Sequence, residues 1–199
     1  MLKLSKIEKS FGEKQVLRGV SLDLKKGDTV MLYGMSGCGK TTLLRIAAGL
    51  EKEDKGTVER KGKIAVVFAE ARLFPTATVL ENITLVMSGD KQKAKQKAKQ
   101  KARDILAAFG LYEAEKLYPH ELSTGMAARV SLARAVAYDA DIYLMDEPFK
   151  SLDGEVKMLV MNYLRIFLKE KATLIISHDE AEADAMGGKV FRMSEGRLQ

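Results

Sequence analysis

The sequence is nearly free of cysteine: Cys38 stands alone among 199 residues, which excludes an internal disulfide and makes a reducing compartment the expected setting. It also lacks any apolar run approaching the ~18–20 residues that a membrane-spanning helix needs. The opening Met1-Leu2-Lys3-Leu4-Ser5-Lys6 alternates apolar with polar residues and has no apolar centre of a secretory leader. Any membrane role is therefore expected to run through a partner. Acid is missing from residues 91–103, KQKAKQKAKQKAR, which carry seven basic residues; without them the net charge falls from +6 to −1. The basicity is local, and a domain-wide nucleic-acid footprint is not supported. What remains is ordinary: 46% hydrophobic and 30% charged residues, in a length that fits one domain, 1–199, with room for an inserted subdomain.

Hydrophobic patterning sets the organisation. Val20, Leu22 and Leu24 alternate with polar residues as in a half-buried strand, and Lys25-Lys26-Gly27-Asp28 reads as a turn. Thr29–Tyr33 is short and apolar, which suits a buried strand. A helix with Leu43, Leu44, Ala47 and Ala48 on one face follows, and Gly49 sits where it should stop. A further strand is expected at Ile64–Phe68. Roughly 76–138 lacks strand signals and is rich in Ala, Lys and Glu, the composition of a helical insertion. DIYLMDE (141–147) and TLIIS (173–177) read as buried strands, with a helix between them carrying Val156, Leu159, Val160, Tyr163 and Leu164. The end turns as a hairpin at Ser194-Glu195-Gly196. Strands alternating with helices predict a mostly parallel α/β sheet, and such sheets hold ligands at the carboxyl ends of their strands.

Every chemical motif falls at such an end. Gly34-Met35-Ser36-Gly37-Cys38-Gly39-Lys40-Thr41 has the P-loop spacing, preceded by a strand and followed by a helix. Glycines let the backbone curl until several N–H groups point inward, and the helix N-terminus adds its positive end. Lys40 is expected to reach the β- and γ-phosphates of ATP, and the Thr41 hydroxyl to ligate Mg²⁺. Gly34, Ser36, Gly37, Cys38, Gly39 and Thr42 complete the expected nucleotide cradle. Asp146 and Glu147 follow an apolar strand: Asp146 is expected to hold Mg²⁺, and Glu147 to orient and polarise the attacking water.

After the P-loop come LSTGM (122–126), DIYLMDEP (141–148), SLD (151–153) and ISHD (176–179), in that order. This resembles the nucleotide-binding subunits of ABC (ATP-binding cassette) transporters over essentially the full length. VVFAEARLFPTATVLENI and YPHELSTGM are similar to stretches of nitrate-, sulfonate- and thiamine-precursor-type bacterial importers. The resemblance implies a P-loop NTPase with an N-terminal antiparallel β part. It also implies an ATPase that works as a head-to-tail homodimer or paired cassette and drives solute transport through transmembrane permease subunits. A substrate-binding protein is an expected further partner, nucleic acid is not, and the expected place is cytoplasmic, peripheral at the inner face of the cell membrane. Phe11 stands where the family stacks an aromatic on adenine. Ser123 and Gly125 stand in the signature that faces the γ-phosphate held by the other subunit, and Asp153 in the loop that crosses the interface. His178 matches the switch histidine, whereas His120 reads as structural.

Two positions depart from the pattern. Ala69 stands where the family has a glutamine near Mg²⁺ and the attacking water, and Thr124 replaces the first glycine of the signature. They motivate an alternative reading, a nucleotide-binding regulatory cassette with impaired hydrolysis. Intact Lys40, Glu147 and His178 argue against it. The KQKA repeat, Lys91 to Ala102, reads as a solvated helical arm whose Ala94, Ala98 and Ala102 form a thin stripe leading to Ile105, Leu106 and Phe109; attraction to anionic lipid is its functional alternative. Little sequence follows the His178 region, so no additional C-terminal regulatory domain is expected.

Overall fold

A computed structural model describes residues 1–87 and 92–199; the first lysine of the KQKA repeat, Lys91, lies outside the described residues. In chain order the elements are β1 (Leu2–Phe11), β2 (Lys14–Leu24), β3 (Thr29–Tyr33), α1 (Lys40–Ala48), β4 (Lys55–Arg60), β5 (Ile64–Val67), α2 (Val79–Thr84), α3 (Gln92–Ala108), α4 (Thr124–Tyr138), β6 (Ile142–Asp146), α5 (Gly154–Phe167), β7 (Ala172–Ile176), α6 (Glu180–Met186), β8 (Lys189–Ser194) and β9 (Arg197–Leu198). Two compact units divide them. One comprises Met1–Val66, Ala140–Glu147 and Arg165–Gln199; the other comprises Val67–Asp139 and Pro148–Leu164.

The first unit is built on two sheets. β2, β1 and β4 form an antiparallel sheet in that order, with Leu2, Leu4 and Ile7 of β1 buried beside the alternating Val20, Leu22 and Leu24 of β2. The second sheet runs β5-β6-β7-β3-β8-β9, and β6, β7, β3 and β8 pair in parallel. Every residue of β6 and β7 is buried, so continuous apolar runs rather than alternation mark these central strands. α1 buries Leu43, Leu44 and Ala47 as expected, and also Ile46. It stops at Gly49, whose left-handed φ of 77° lets its N–H reach the carbonyls of Arg45 and Ile46. β8 and β9 pair antiparallel as Ser194↔Arg197, and positive φ at Glu195 (48°) and Gly196 (76°) is what a two-residue hairpin turn of matching twist requires.

One hydroxyl in this sheet is at odds with its surroundings. Thr173, fully buried in β7, has an Oγ1 with no hydrogen-bond partner among the described residues. Thr173→Val keeps the shape and removes a desolvated polar atom, so it should stabilise by about 1 kcal/mol, or roughly 2–4 °C in Tm. Thermal unfolding followed by circular dichroism checks this; a lower Tm would mean the hydroxyl is satisfied in solution.

The second unit contains helices and short turns, with no strand among its described residues from 76 to 138. α2 begins with a capping box in which Thr78 and Glu81 exchange hydrogen bonds between side chain and backbone. α3 carries the repeat inward as its spacing predicts: Ala98 is half-buried, and Ala102, Ile105, Leu106 and Phe109 are buried. The side chain of Ala94 lies outside the described residues. α5 buries only part of its apolar set. Val160, Met161 and Leu164 are buried while Leu159 is 48% exposed, because the buried stripe centres on the i, i+4 pair Val160–Leu164 and Leu159 lies off it.

Candidate functional site

The register of three neighbouring strands makes the site. Asp146 of β6 pairs with Ile176 of β7, and Ile176 pairs with Leu32 of β3, so the three strands end in one row. The loop from Gly34, the pair Asp146-Glu147 and the pair Ser177-His178 therefore leave the sheet side by side at its carboxyl edge.

The Gly34–Gly39 loop closes tightly before α1. A Cβ on Gly34 would collide with the carbonyl of Met193 in β8, so only glycine fits there. Gly39, in left-handed conformation, precedes α1 without a side-chain cap, and no acid occupies the first turn. The leading N–H groups of the helix are thus left for an anion. Lys40 is 5% exposed, and its ammonium donates to the carbonyls of Gly34 (2.6 Å) and Met35 (3.0 Å). The glycine-lined cradle, the uncapped helix end and the inward lysine all fit a polyphosphate.

The Thr41 hydroxyl donates to Asp146 Oδ2 at 3.0 Å. Burial pushes the Asp146 carboxyl above its ordinary range; the bond from Thr41 opposes this, and the neighbouring Glu147 charge adds to it. A hydroxyl and a carboxylate crowded together in a poorly solvated corner form an oxygen-only donor set that suits a small hard cation such as Mg²⁺. Glu147 follows in left-handed conformation (φ 48°), unusual for a residue with a side chain, while its N–H still donates to the carbonyl of Ile176. The chain turns sharply there, and Glu147 Oε1 meets His178 Nε2 at 2.8 Å.

A cavity of ≈ 320 Å³ is lined by Ser36, Gly37, Gly39, Lys40, Thr41 and Thr42 of the loop and α1. Phe11, Val16, Glu147 and His178 complete the lining. Gly34 and Cys38 line a second cavity, which shares Ser36, Gly37 and His178 with the first. Phe11 is half exposed at the end of β1, with the Lys9 ammonium 5.2 Å from its ring centre. Sequence reasoning missed Val16, which no motif marks; its place comes from the pairing of β2 with β1.

Ser123, Gly125 and Asp153 belong to the other unit. Ser123 caps α4 through its hydroxyl, which accepts from the Met126 N–H at 3.2 Å. A Cβ on Gly125 would lie 2.8 Å from the Ser151 carbonyl, so this glycine keeps the start of α4 close to residues 151–153. The Arg129 guanidinium donates to the carbonyls of Phe109 and Gly110, and the charge of Asp153 acts on it. Ala69 and Thr124 are exposed. The loop after Ala69 is held from within its own unit: Asn82, fully buried, bonds the backbone of Phe74, Ala77 and Thr78, and Arg134 donates to the carbonyls of Ala71 and Arg72. His120 stacks its ring on Tyr118 at 5.9 Å.

Three comparisons bear on this geometry. A family profile described as ABC transporter matches residues 17–150. The aliphatic sulfonates import ATP-binding protein SsuB of Corynebacterium glutamicum is 37% identical over 194 residues, covering 96% of this chain and 79% of that protein. The arginine transport ATP-binding protein ArtM of Bacillus subtilis is 36% identical over 214 residues, covering 100% and 89%. Two solved structures of the cassette MJ0796 superpose with a TM-score of 0.90 at 28% identity, covering 100% of this chain and 97% of each. One is described as the dimer of a bacterial ABC transporter cassette, the other as a dimeric post-hydrolysis state bound to ADP and Pi.

Proposed function

The chain belongs to the ABC transporter family, and from that footing we propose how its residues divide the work of an ATP-binding import subunit. It binds ATP and hydrolyses it, pairs with a second cassette, and serves permease subunits in the membrane. No helix among the described residues is long and apolar enough to cross a membrane, which suits a subunit attached peripherally, on the cytoplasmic side in this reading. The whole chain acts as one cassette, with the segment of roughly 76–138 as its inserted helical subdomain. A substrate-binding protein is proposed as a further partner of the assembly.

The observation that carries the residue assignment is the meeting of four groups along one cavity: Lys40 and Thr41 at the start of α1, Glu147 and His178 at the neighbouring strand ends. Lys40 and the loop amides bind the phosphates. Thr41 and Asp146 hold Mg²⁺, which when bound supplies charge neutralisation at the phosphate oxygens. Glu147 orients a water for in-line attack and accepts its proton, while His178 holds the Glu147 carboxylate and reaches the γ-phosphate. Phe11 and Val16 form an apolar seat for the base. Ser123 and Gly125 complete the site of the facing subunit, head to tail, with Asp153 at the interface. The alternative, a regulatory cassette with impaired hydrolysis, is not favoured: the departures at Ala69 and Thr124 leave the Thr41–Asp146 and Glu147–His178 contacts intact.

The test is Mg-ATP hydrolysis against protein concentration for this chain and for Ala69→Gln. Both should hydrolyse, with specific activity rising as the protein pairs. Hydrolysis by Ala69→Gln alone would reinstate the regulatory reading.

A further inference from the structure

His178 is anchored at its ring by Glu147, but its backbone is fixed from behind. Ser177 directly follows β7, and its N–H donates to the carbonyl of Leu32 in β3 at 3.2 Å. Its hydroxyl donates to Glu182 Oε2 at 2.6 Å and accepts from the Asp179 N–H at 3.0 Å. Ser177 and Glu182 are 4% and 5% exposed. Asp179 in turn caps α6, its Oδ1 accepting from the Ala181 N–H at 3.0 Å. The backbone on both sides of His178 is thus tied to one hydroxyl, and that hydroxyl is tied to a buried carboxylate on the first turn of α6. None of this is needed for nucleotide contact: neither Ser177 nor Glu182 lines the cavity.

We infer that Glu182 is a positioning residue for hydrolysis: through Ser177 it clamps the loop that aims His178 at Glu147 and the γ-phosphate. Burying a carboxylate is costly unless its hydrogen bonds are made, so the clamp has one strongly preferred geometry. α6 then carries the imidazole as a rigid extension of β7 rather than as a free loop. The inference rests on the proposed role of His178 in ATP hydrolysis.

The test compares Ser177→Ala, Glu182→Ala and Glu182→Gln with the unsubstituted chain for ATP affinity, kcat and KM, each also on a His178→Ala background. Ser177→Ala and Glu182→Ala should lower kcat by about tenfold or more with ATP affinity and KM within about twofold, because only transition-state alignment is lost. Glu182→Gln, whose amide oxygen can still accept from Ser177, should recover most of the rate. On His178→Ala neither alanine substitution should lower the rate further, since the group being aimed is gone. Equal losses on both backgrounds, or an unchanged kcat in the two single alanine variants, overturn the clamp. Should Glu182→Ala not fold, Ser177→Ala, which deletes one hydroxyl, carries the test alone. A chain that does not hydrolyse ATP before any substitution refutes the ATPase reading instead, and that outcome is separate from a failure of the clamp.

Discussion

Glu147→Gln should reduce ATP hydrolysis by about 10²–10⁴-fold while leaving ATP binding intact, and should accumulate a nucleotide-bound dimer at saturating Mg-ATP. The glutamine is nearly isosteric, so the sharp left-handed turn at residue 147 and its backbone bond to Ile176 persist. An amide oxygen or amide nitrogen can still meet His178 across the 2.8 Å contact, so the loop should not collapse. What disappears is the capacity to accept a proton from water and the negative charge that polarises it. ATP then bridges two cassettes with no route to product, and the closed pair persists. Size-exclusion chromatography with light scattering, run with ATP and with ADP, reads the dimer; a quenched-flow or coupled assay reads the rate. A Glu147→Gln protein that stays monomeric at saturating Mg-ATP, or that turns over at the original rate, would sink the assignment of Glu147 as base.

The same strand ends explain what a linear reading could and could not reach. The P-loop, its flanking Thr29–Tyr33 strand and the stop at Gly49 are local: each needs only spacing, apolar run length and glycine, and the structure has them where the pattern puts them. The hairpin at Glu195-Gly196 is legible for the same reason. That Asp146 would stand beside Thr41 follows from no spacing, because 105 residues separate them; the register Asp146↔Ile176↔Leu32 brings them together. The P-loop and the acidic pair, each read as supplying a Mg²⁺ ligand, implied the pairing that periodicity could not. Val16 belongs to no motif, and of the Ser177–Glu182 clamp only Ser177 does, in ISHD, which gives no sign of its partner. One depends on how β2 pairs with β1, the other on α6 folding back so that Glu182 meets the residue that follows β7. The apolar letters of α5 do not single out its buried face either: Leu159 is apolar and half exposed.

Gly125, proposed above for the facing subunit's site, is also constrained from within its own chain. The notch that keeps it free of a side chain is the Ser151 carbonyl, 2.8 Å from where a Cβ would stand. The exposed Ser123 hydroxyl accepts from the Met126 N–H and so satisfies one of the first N–H groups of α4. Thr124, the first residue of α4, is exposed and outside both contacts. A β-branched residue there is compatible with the helix start.

Lys40→Ala should cost about 10²–10³-fold in kcat/KM, with nucleotide affinity falling alongside it, the loss expected when a fixed donor to developing negative charge is removed. The reason lies in where the ammonium already is. Buried at 5% exposure and bonded to the carbonyls of Gly34 and Met35, it has given up most of its water before any phosphate arrives. Exchanging carbonyl for phosphate oxygens would therefore add charge-assisted bonds without a second desolvation. Lys40→Arg should not rescue it, because a planar guanidinium is too broad for a cradle closed by Gly34 against Met193. Binding of a fluorescent ATP analogue to both variants, with melting temperatures taken in parallel, separates a lost ligand from a lost fold. Affinity within about threefold of the unsubstituted chain in either variant would remove Lys40 from the phosphate site.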